Sequence, residues 1–489
     1  MTTNLDEFFA AFRKQIVGID QHIETPYGTK KLLYADWIAS GRLYGPIEAR
    51  VSADIGSMVA NTHSESSDTG KLMTLAYHKA HEIIKKHVNA SKDDVIITCG
   101  TGMTGSLSKL IRILGLKVPE GMKGRLVLAE EERPVVFVTH MEHHSNQLSW
   151  LETIADLVVI PPDENLLVCS EKLRAEIQKY PLGRLKIGAF TACSNVTGIK
   201  TPYHALAKIM HDHGGLCLVD FAASAPYVPI DMHPDRPGEF LDGIFFSPHK
   251  FLGGPGSSGV LVFNKSLYKN TIPDEPGGGT VNWTNPWGGR SYFDDIELRE
   301  DGGTPGFLQA MKTALCIRLK EKMDVERMHL QEKKLVQAFL DGLQSIPTVR
   351  VLAGEHFDRI GAVSFYAEGI HFNLMVKLLN DRFGIQVRGG CSCAGTYGHY
   401  LLHVDEDYSL QLTDRIDEGD LSQKPGWVRV SIHPTTTVEE VEFMLAAIRE
   451  LIANVEDLKP DYSYDSKTND FQHIREIDRQ EAVNAWFSI

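Results

Sequence analysis

The chain has 489 residues, of which 43% are hydrophobic and 23% charged. This is the composition of a globular protein with two or three domains. The formal net charge of −14 argues against nucleic acid or an anionic membrane as the main partner. The sequence has neither an apolar stretch long enough to span a membrane nor a signal-peptide pattern at its start. Its seven cysteines lack disulfide-framework spacing, so we expect a cytoplasmic protein.

Apolar, strand-like runs alternate with helical segments from about residue 30 to residue 320. The helical segments include 72–88, 102–114 and 204–213, and a long amphipathic helix is predicted over about 308–343. The strand-like runs are 95–98, 134–139, 185–190, 216–219, 243–246 and 259–263. This alternation predicts an α/β fold, with a large, mainly parallel sheet covered by helices on both faces.

Four segments are predicted along the chain. An N-terminal helical arm (1–30) precedes a large domain (31–315). A smaller α/β domain (316–460) and a C-terminal tail (461–489) follow.

A lysine and an aspartate follow two of the predicted strands. Asp220 ends the run Leu216-Cys-Leu-Val-Asp220, and Lys250 lies in Ser247-Pro-His-Lys250, just after the next run. In a parallel sheet both side chains would lie at the carboxyl edge, where ligands bind. A lysine amine that binds the cofactor covalently and a carboxylate that keeps the pyridine nitrogen protonated are what pyridoxal 5'-phosphate chemistry requires. The pair therefore predicts a pyridoxal phosphate site.

A glycine-rich turn, Thr98-Cys-Gly-Thr-Gly-Met-Thr-Gly-Ser106, joins a predicted strand to a predicted helix. Glycine allows close approach of the backbone, and the helix N-terminus favours an anion. Ser247 and His249 can add side-chain donors. These residues predict a phosphate cup.

The chain resembles the class V aminotransferase family of fold-type I pyridoxal phosphate enzymes, and most closely its cysteine desulfurase/selenocysteine lyase branch. The matching motifs occur in the expected order over about residues 34–445. They are Tyr34-Ala-Asp-Trp-Ile-Ala-Ser40, Gly100-Thr-Gly102, Met141-Glu-His-His-Ser-Asn146, Ser194-Asn-Val-Thr-Gly198, Val219-Asp220, Ser247-Pro-His-Lys250, Gly303-Thr-Pro305 and Val387-Arg-Gly-Gly-Cys-Ser-Cys-Ala394.

The resemblance implies a role for each matching position around the cofactor. His143 would stack on the pyridine ring, Asn195 would lie near the ring hydroxyl, and Asp220 would pair with the ring nitrogen. The phosphate would be held by Thr101, Gly102, Ser247 and His249. Family members are typically homodimers, and the stretch around Thr280 resembles the segment that reaches the phosphate of the neighbouring subunit.

The resemblance also implies a substrate and a nucleophile. Arg429 matches the arginine that binds the α-carboxylate of an amino-acid substrate, while Arg388 would either contact the substrate or support its loop. Cys393 matches the thiol that takes sulfur from L-cysteine as a persulfide and leaves alanine. A sulfur-acceptor protein would then be a partner, and Cys391 could relay the sulfur.

Several alternatives stay open at this level. The loop thiols can be structural or incidental to another reaction on an amino acid, such as transamination, a lyase step or epimerisation. A metal site formed by Cys391, Cys393, His399 and His403 is disfavoured by its unusual spacing, and we predict none. A non-enzymatic scaffold would require an idle Lys250.

Four features depart from the desulfurase pattern. Ala223 stands where the family usually has Gln, and the cup reads Gly-Thr-Gly-Met. An acidic insertion lengthens the spacing between Cys393 and Arg429, and the tail has no counterpart.

Overall fold

The computed structural model describes residues 4–62, 66–475 and 477–488. The chain forms two compact units. Unit 1 consists of Met1–Lys14, Gly18–Trp37 and Leu330–Ile489, and unit 2 of Gln15–Val17 and Ile38–His329. No helix in the described ranges is long and apolar enough to cross a membrane.

The α-helices in chain order are α1 Leu5–Arg13, α2 Gly45–Ala49, α3 Asp68–His87, α4 Met103–Ile113, α5 Glu120–Lys123, α6 His144–Leu151, α7 Ser170–Ile177, α8 Tyr203–Asp212, α9 Ile296–Arg299, α10 Phe307–Met323, α11 Val325–Gln344, α12 Phe372–Phe383, α13 Gly395–Leu401, α14 Glu406–Asp417, α15 Val438–Leu458 and α16 Gln480–Trp486.

The strands in chain order are β1 His22–Thr25, β2 Gly28–Lys31, β3 Leu33–Tyr34, β4 Asp94–Cys99, β5 Val135–Thr139, β6 Asp156–Ile160, β7 Lys186–Thr191, β8 Leu216–Asp220, β9 Gly243–Phe246, β10 Gly259–Asn264, β11 Val281–Thr284, β12 Arg290–Tyr292, β13 Val349–Val351, β14 Ala362–Ala367, β15 Ile385–Gln386, β16 Arg388–Gly390, β17 Trp427–Ser431, β18 Tyr462–Asp465 and β19 Asp470–His473.

Unit 2 is built on a seven-stranded sheet with the order β4-β10-β9-β8-β7-β5-β6. The strands from β9 to β6 pair in parallel, whereas β10 runs antiparallel to both of its neighbours. Strands such as β5 and β7 are buried along their whole length, as expected for a sheet covered on both faces. The predicted α/β fold with a mainly parallel sheet is confirmed.

Unit 1 contains a four-stranded antiparallel sheet with the order β13-β14-β17-β16. Its core joins apolar side chains of β14 and β17 to those of α12 and α15. A second, two-stranded pairing joins β3 to β15 in parallel. This pairing brings residues near position 34 into the same unit as residues beyond position 385.

The helix predicted over 308–343 is two helices, α10 and α11, separated by Asp324. The backbone of Asp324 is left-handed, with φ of 60°. Its side chain accepts hydrogen bonds from the amides of Glu326 and Arg327 at 3.1 and 3.3 Å, which replaces the helical pattern with a local cap. The single-helix prediction was wrong because neither glycine nor proline marks the break at Asp324 in the sequence.

The segment predicted as a tail, 461–489, is grouped with unit 1. Strands β18 and β19 form a hairpin. Tyr462 donates a hydrogen bond to Asp381 at 3.0 Å, and Asn373 donates one to the Asn469 carbonyl. The hairpin is therefore an integral part of unit 1.

Candidate active site

Lys250 ends a short 3₁₀ turn, Pro248–Lys250, that follows β9. Backbone contacts fix this turn from both sides. The Gly41 amide donates to the His249 carbonyl at 2.9 Å, and a Cβ atom at Gly41 would lie 1.9 Å from the Phe251 carbonyl oxygen. A Cβ atom at Gly254 would lie 1.9 Å from the Pro248 carbonyl oxygen. The turn that carries Lys250 is thus packed so closely that two positions around it admit only glycine.

Asp220 is the last residue of β8, next to β9 in the sheet. Its side chain is buried, and one carboxylate oxygen accepts the Ala222 amide at 2.7 Å. Burial raises the pKa of Asp220 to about 6, while the Ala222 hydrogen bond and the charge of Lys250 act in the opposite direction. A buried carboxylate with a raised pKa is suited to pairing with a cationic group.

His143 caps the N-terminus of α6, where its ring Nδ1 accepts the Ser145 amide at 3.1 Å. The residue before it, Glu142, is completely buried. Glu142 accepts hydrogen bonds from the Thr139 hydroxyl, the Thr191 amide and Asn146 at 2.7, 2.9 and 2.7 Å. Burial raises the pKa of Glu142 to about 7.

Glu142 therefore fastens the turn that carries His143 to the ends of β5 and β7. The sequence motifs gave Glu142 no role. The signal that could have revealed it is an acidic residue directly after the apolar run that forms β5.

Thr101 and His249 line a cavity of about 530 Å³ at the start of α4. Ser247 lies at the same place, since its hydroxyl accepts the Met103 amide at 2.8 Å. A Cβ atom at Gly102 would come within 3.0 Å of the Ser247 hydroxyl and 3.5 Å of the His249 ring. Burial, and then the charge of Lys250, lower the pKa of His249 to about 4, so the ring is neutral near pH 7.

Ser257 was not predicted as a site residue, yet it lines this cavity. It is 3% exposed. In the part of the chain that the structure describes, its hydroxyl oxygen has no hydrogen-bond partner. A buried hydroxyl without a partner is costly unless a ligand contacts it.

Asn195 is buried in the turn after β7, and β7 pairs with β8 so that Thr191 lies opposite Asp220. Ser194 shapes this turn by accepting the amides of Val196 and Thr197 at 3.1 and 3.2 Å. Ala223 is also buried. Its side chain is a methyl group, so this position offers no hydrogen-bond donor.

Thr280 lies in the turn that follows Gly277, and its contact with a neighbouring subunit stays a prediction. Its side chain is completely buried, and its hydroxyl donates to the Gly277 carbonyl at 2.6 Å. Thr304, in the motif Gly303-Thr-Pro305, is exposed.

In unit 1, Arg388 and Arg429 lie directly opposite each other on β16 and β17. Arg429 is buried, whereas Arg388 is about half exposed. Burial lowers the pKa of Arg429, and the neighbouring Asp36 raises it; the charge of Cys393 acts in the same direction as Asp36. The structure therefore brings Arg388, Arg429 and Cys393 to one place in unit 1.

The loop 390–394 presents Cys393 to solvent, whereas Cys391 is partly buried. Ser392 and Cys393 are both left-handed, with φ of 52° and 57°. Such a conformation is costly for residues other than glycine. Trp427 holds the loop by donating to the Ser392 hydroxyl at 3.2 Å.

His399, a member of the disfavoured metal set, lies in α13. Its ring nitrogens are 2.8 Å from the Gly395 carbonyl and 2.8 Å from the Ser409 hydroxyl. Within the described ranges, no group of three or more histidine, cysteine, aspartate or glutamate side chains could hold a metal ion.

A family model described as aminotransferase class V matches residues 34–444. The chain belongs to this family. A probable cysteine desulfurase from Halalkalibacterium halodurans is 29% identical over 340 residues, which cover 68% of this chain and 77% of the relative. One from Staphylococcus epidermidis is 28% identical over 380 residues, with coverages of 76% and 85%.

Solved structures share the fold. The apo cysteine desulfurase of Thermococcus onnurineus superposes with a TM-score of 0.72 at 24% identity, over 91% of this chain and 98% of that one. A cysteine desulfurase of Escherichia coli gives a TM-score of 0.69 at 22% identity, over 91% and 98%. The fold-type I assignment is thereby confirmed, and the chain is an enzyme of a pyridoxal phosphate-dependent family.

The residues of unit 2 fit this cofactor. The cavity at the start of α4 offers the Ser257 hydroxyl, which has no hydrogen-bond partner among the described residues, and a glycine at position 102, whose missing side chain leaves room beside Ser247 and His249. Both features suit a phosphate. Asp220 and Lys250 would supply the carboxylate and the amine. Bound pyridoxal phosphate would act there as an electron sink for carbanion chemistry at the substrate Cα.

Asp220 gives the cofactor-free protein a predictable pH dependence. Its folded pKa of about 6 lies above the ordinary 3.8, so its contribution to stability is full below pH 3.8 and is lost as the pH rises through 6. Between these limits, we expect the free energy of unfolding of the wild type to fall by about 3 kcal/mol relative to Asp220→Asn.

Urea unfolding of both cofactor-free proteins at a series of pH values measures this difference. The same experiment with bound cofactor should abolish the decline, because a cation favours the ionised carboxylate. A difference between the two proteins that does not change with pH would contradict the assignment.

Proposed function

We propose that the protein is a pyridoxal phosphate-dependent cysteine desulfurase, which converts L-cysteine to L-alanine and leaves a persulfide on Cys393. The observation that carries the proposal is the exposed Cys393, held in a left-handed loop near the buried Arg429. Aminotransferase, lyase and epimerase reactions do not require a thiol at this position. The relatives named as probable cysteine desulfurases support the same choice.

Each proposed role follows from the chemistry of a side chain. Arg429 binds the substrate carboxylate through its fork of N–H donors. Lys250 takes the proton from Cα, and the Cys393 sulfur, as thiolate, attacks the substrate sulfur. The carbon–sulfur bond breaks as the new sulfur–sulfur bond forms. The electron pair of the broken carbon–sulfur bond stays with the carbon skeleton of the substrate, which is then protonated to alanine.

An exposed persulfide can be reached by a second protein. We therefore propose a sulfur-acceptor protein as the partner, because Cys393 faces solvent. Homodimerisation and a cytoplasmic location stay predictions from sequence.

A substrate panel tests the function. Purified protein with bound cofactor is incubated with L-cysteine and a set of other amino acids, in the presence of a thiol reductant, and sulfide, alanine and keto acids are measured. We expect sulfide and alanine in equal amounts from L-cysteine. Keto-acid formation from another amino acid, without sulfide from L-cysteine, would instead identify an aminotransferase whose loop thiols are incidental.

A further inference from the structure

Asp36 belongs to the motif Tyr34–Ser40, to which no role has yet been given. It follows β3 and is 5% exposed. The backbone holds it firmly: the Ala35 amide donates to the Gln386 carbonyl at 2.9 Å, and the Ser431 amide donates to the Ala35 carbonyl at 2.7 Å. The carboxylate is thus inserted between the segments that carry Arg388 and Arg429.

Two arginines directly opposite each other on neighbouring strands repel. Here Arg388 is paired in register with Arg429, and the cost is increased because Arg429 is removed from water. Such a pair of arginines needs an anion close to both guanidinium groups to offset their repulsion.

Asp36 is that anion. One carboxylate oxygen accepts Arg429 Nη2 at 2.9 Å, and the other accepts Arg388 Nε and Nη2 at 3.2 and 3.1 Å. Two guanidinium groups and one carboxylate leave a single unit of positive charge. The remaining charge matches a ligand with one carboxylate.

We propose that Asp36 is a specificity-determining counter-ion, which lowers the charge of the arginine pair to one positive unit and so fits the site to a substrate with a single carboxylate close to its reacting group. The charge assignment stands on the geometry of unit 1. The identity of the substrate, L-cysteine, rests on the proposed function.

Alkylation of Cys393 reports the charge without any turnover. Iodoacetate carries a carboxylate and iodoacetamide does not, so the ratio of their rates at Cys393 measures how strongly the site attracts one carboxylate. Rates are followed by mass spectrometry of the peptide that contains Cys393, in a Cys391→Ser background that removes the neighbouring thiol. The full-length purified protein is used, without added substrate.

The variants change the charge in opposite directions. We expect Asp36→Asn to raise the iodoacetate-to-iodoacetamide ratio by about threefold or more, because it leaves the charges of Arg388 and Arg429 uncompensated and so adds one unit of positive charge to the site. Arg388→Gln should lower the ratio by a similar factor. The double variant Asp36→Asn/Arg388→Gln restores the original charge, so its ratio should return to within about twofold of the parent.

A purely structural role for Asp36 predicts another pattern. The proposal would be overturned if the parent and Arg388→Gln had equal iodoacetate-to-iodoacetamide ratios. It would also be overturned if the ratio of the double variant did not return to the value of the parent. If Asp36→Asn does not fold, Arg388→Gln and the double variant still decide it.

Kinetics separate this proposal from the proposed function. Turnover of L-cysteine should show a raised KM in Arg388→Gln and a partial recovery of KM in the double variant. If the parent has no activity on L-cysteine, the proposed function fails, whereas the alkylation ratios still decide the charge role of Asp36.

Discussion

Replacement of Lys250 by alanine is expected to abolish turnover, with a loss of about 1,000-fold or more. The side chain has two proposed tasks, covalent attachment of the cofactor and proton transfer at Cα, and alanine can perform neither. The turn that carries Lys250 is fixed by close contacts with Gly41 and Gly254. Burial raises the pKa of the Asp220 carboxyl group, and the charge of Lys250 acts in the opposite direction. Steady-state assays with the best substrate measure the loss.

Borohydride reduction followed by peptide mass spectrometry locates the cofactor independently of activity. The adduct should be found on the peptide containing Lys250 in the wild type and be absent from Lys250→Ala. The matched control is Lys265→Ala, which removes a lysine that is paired with Asp93 on the surface of the same unit. An adduct on a different lysine of the wild type would show that Lys250 is not the attachment site.

The second large effect is expected for Cys393→Ser. A hydroxyl is a poor nucleophile towards a thiol sulfur at neutral pH, so sulfur transfer from L-cysteine should fall by about 1,000-fold or more. Cofactor binding should be unchanged, because the cofactor is assigned to residues of unit 2. Sulfide release measures the loss, and mass spectrometry after treatment with L-cysteine should detect one added sulfur on the wild-type peptide.

Cys391→Ser is the control for Cys393→Ser. It removes a thiol two residues away that is less exposed, and it should retain most of the activity unless the sulfur is relayed through Cys391. Full activity of Cys393→Ser, together with an unmodified peptide, would refute the desulfurase proposal and favour another reaction on an amino acid.

Patterns that extend over a few neighbouring residues were predictable from sequence. The apolar runs predicted β5 and β7 because a buried parallel strand is apolar on both faces. Lys250 and Asp220 could be assigned to the same edge because Asp220 ends one strand of a parallel sheet and Lys250 lies a few residues beyond the end of the next. At Asp324 the sequence predicted one helix instead of two, because no glycine or proline marks the left-handed residue that separates α10 from α11.

The tertiary structure alone revealed the partners that lie far apart in sequence. Asp36 contacts Arg388 and Arg429 across 352 and 393 positions, and Glu142 accepts the Thr191 amide across 49 positions. The burial of Thr280 in its own turn was equally hidden, because no local pattern in the sequence shows which side chains a turn encloses.

Sequence by itself thus determined the sheet, the phosphate turn and the residue types of the active site, since these depend on local periodicity and on motifs of a few residues. The tertiary structure decided the counter-ion of the arginine pair, the role of Glu142 and the burial of Thr280. Charge compensation and burial depend on which distant segments the fold brings into contact, and no local pattern encodes that choice.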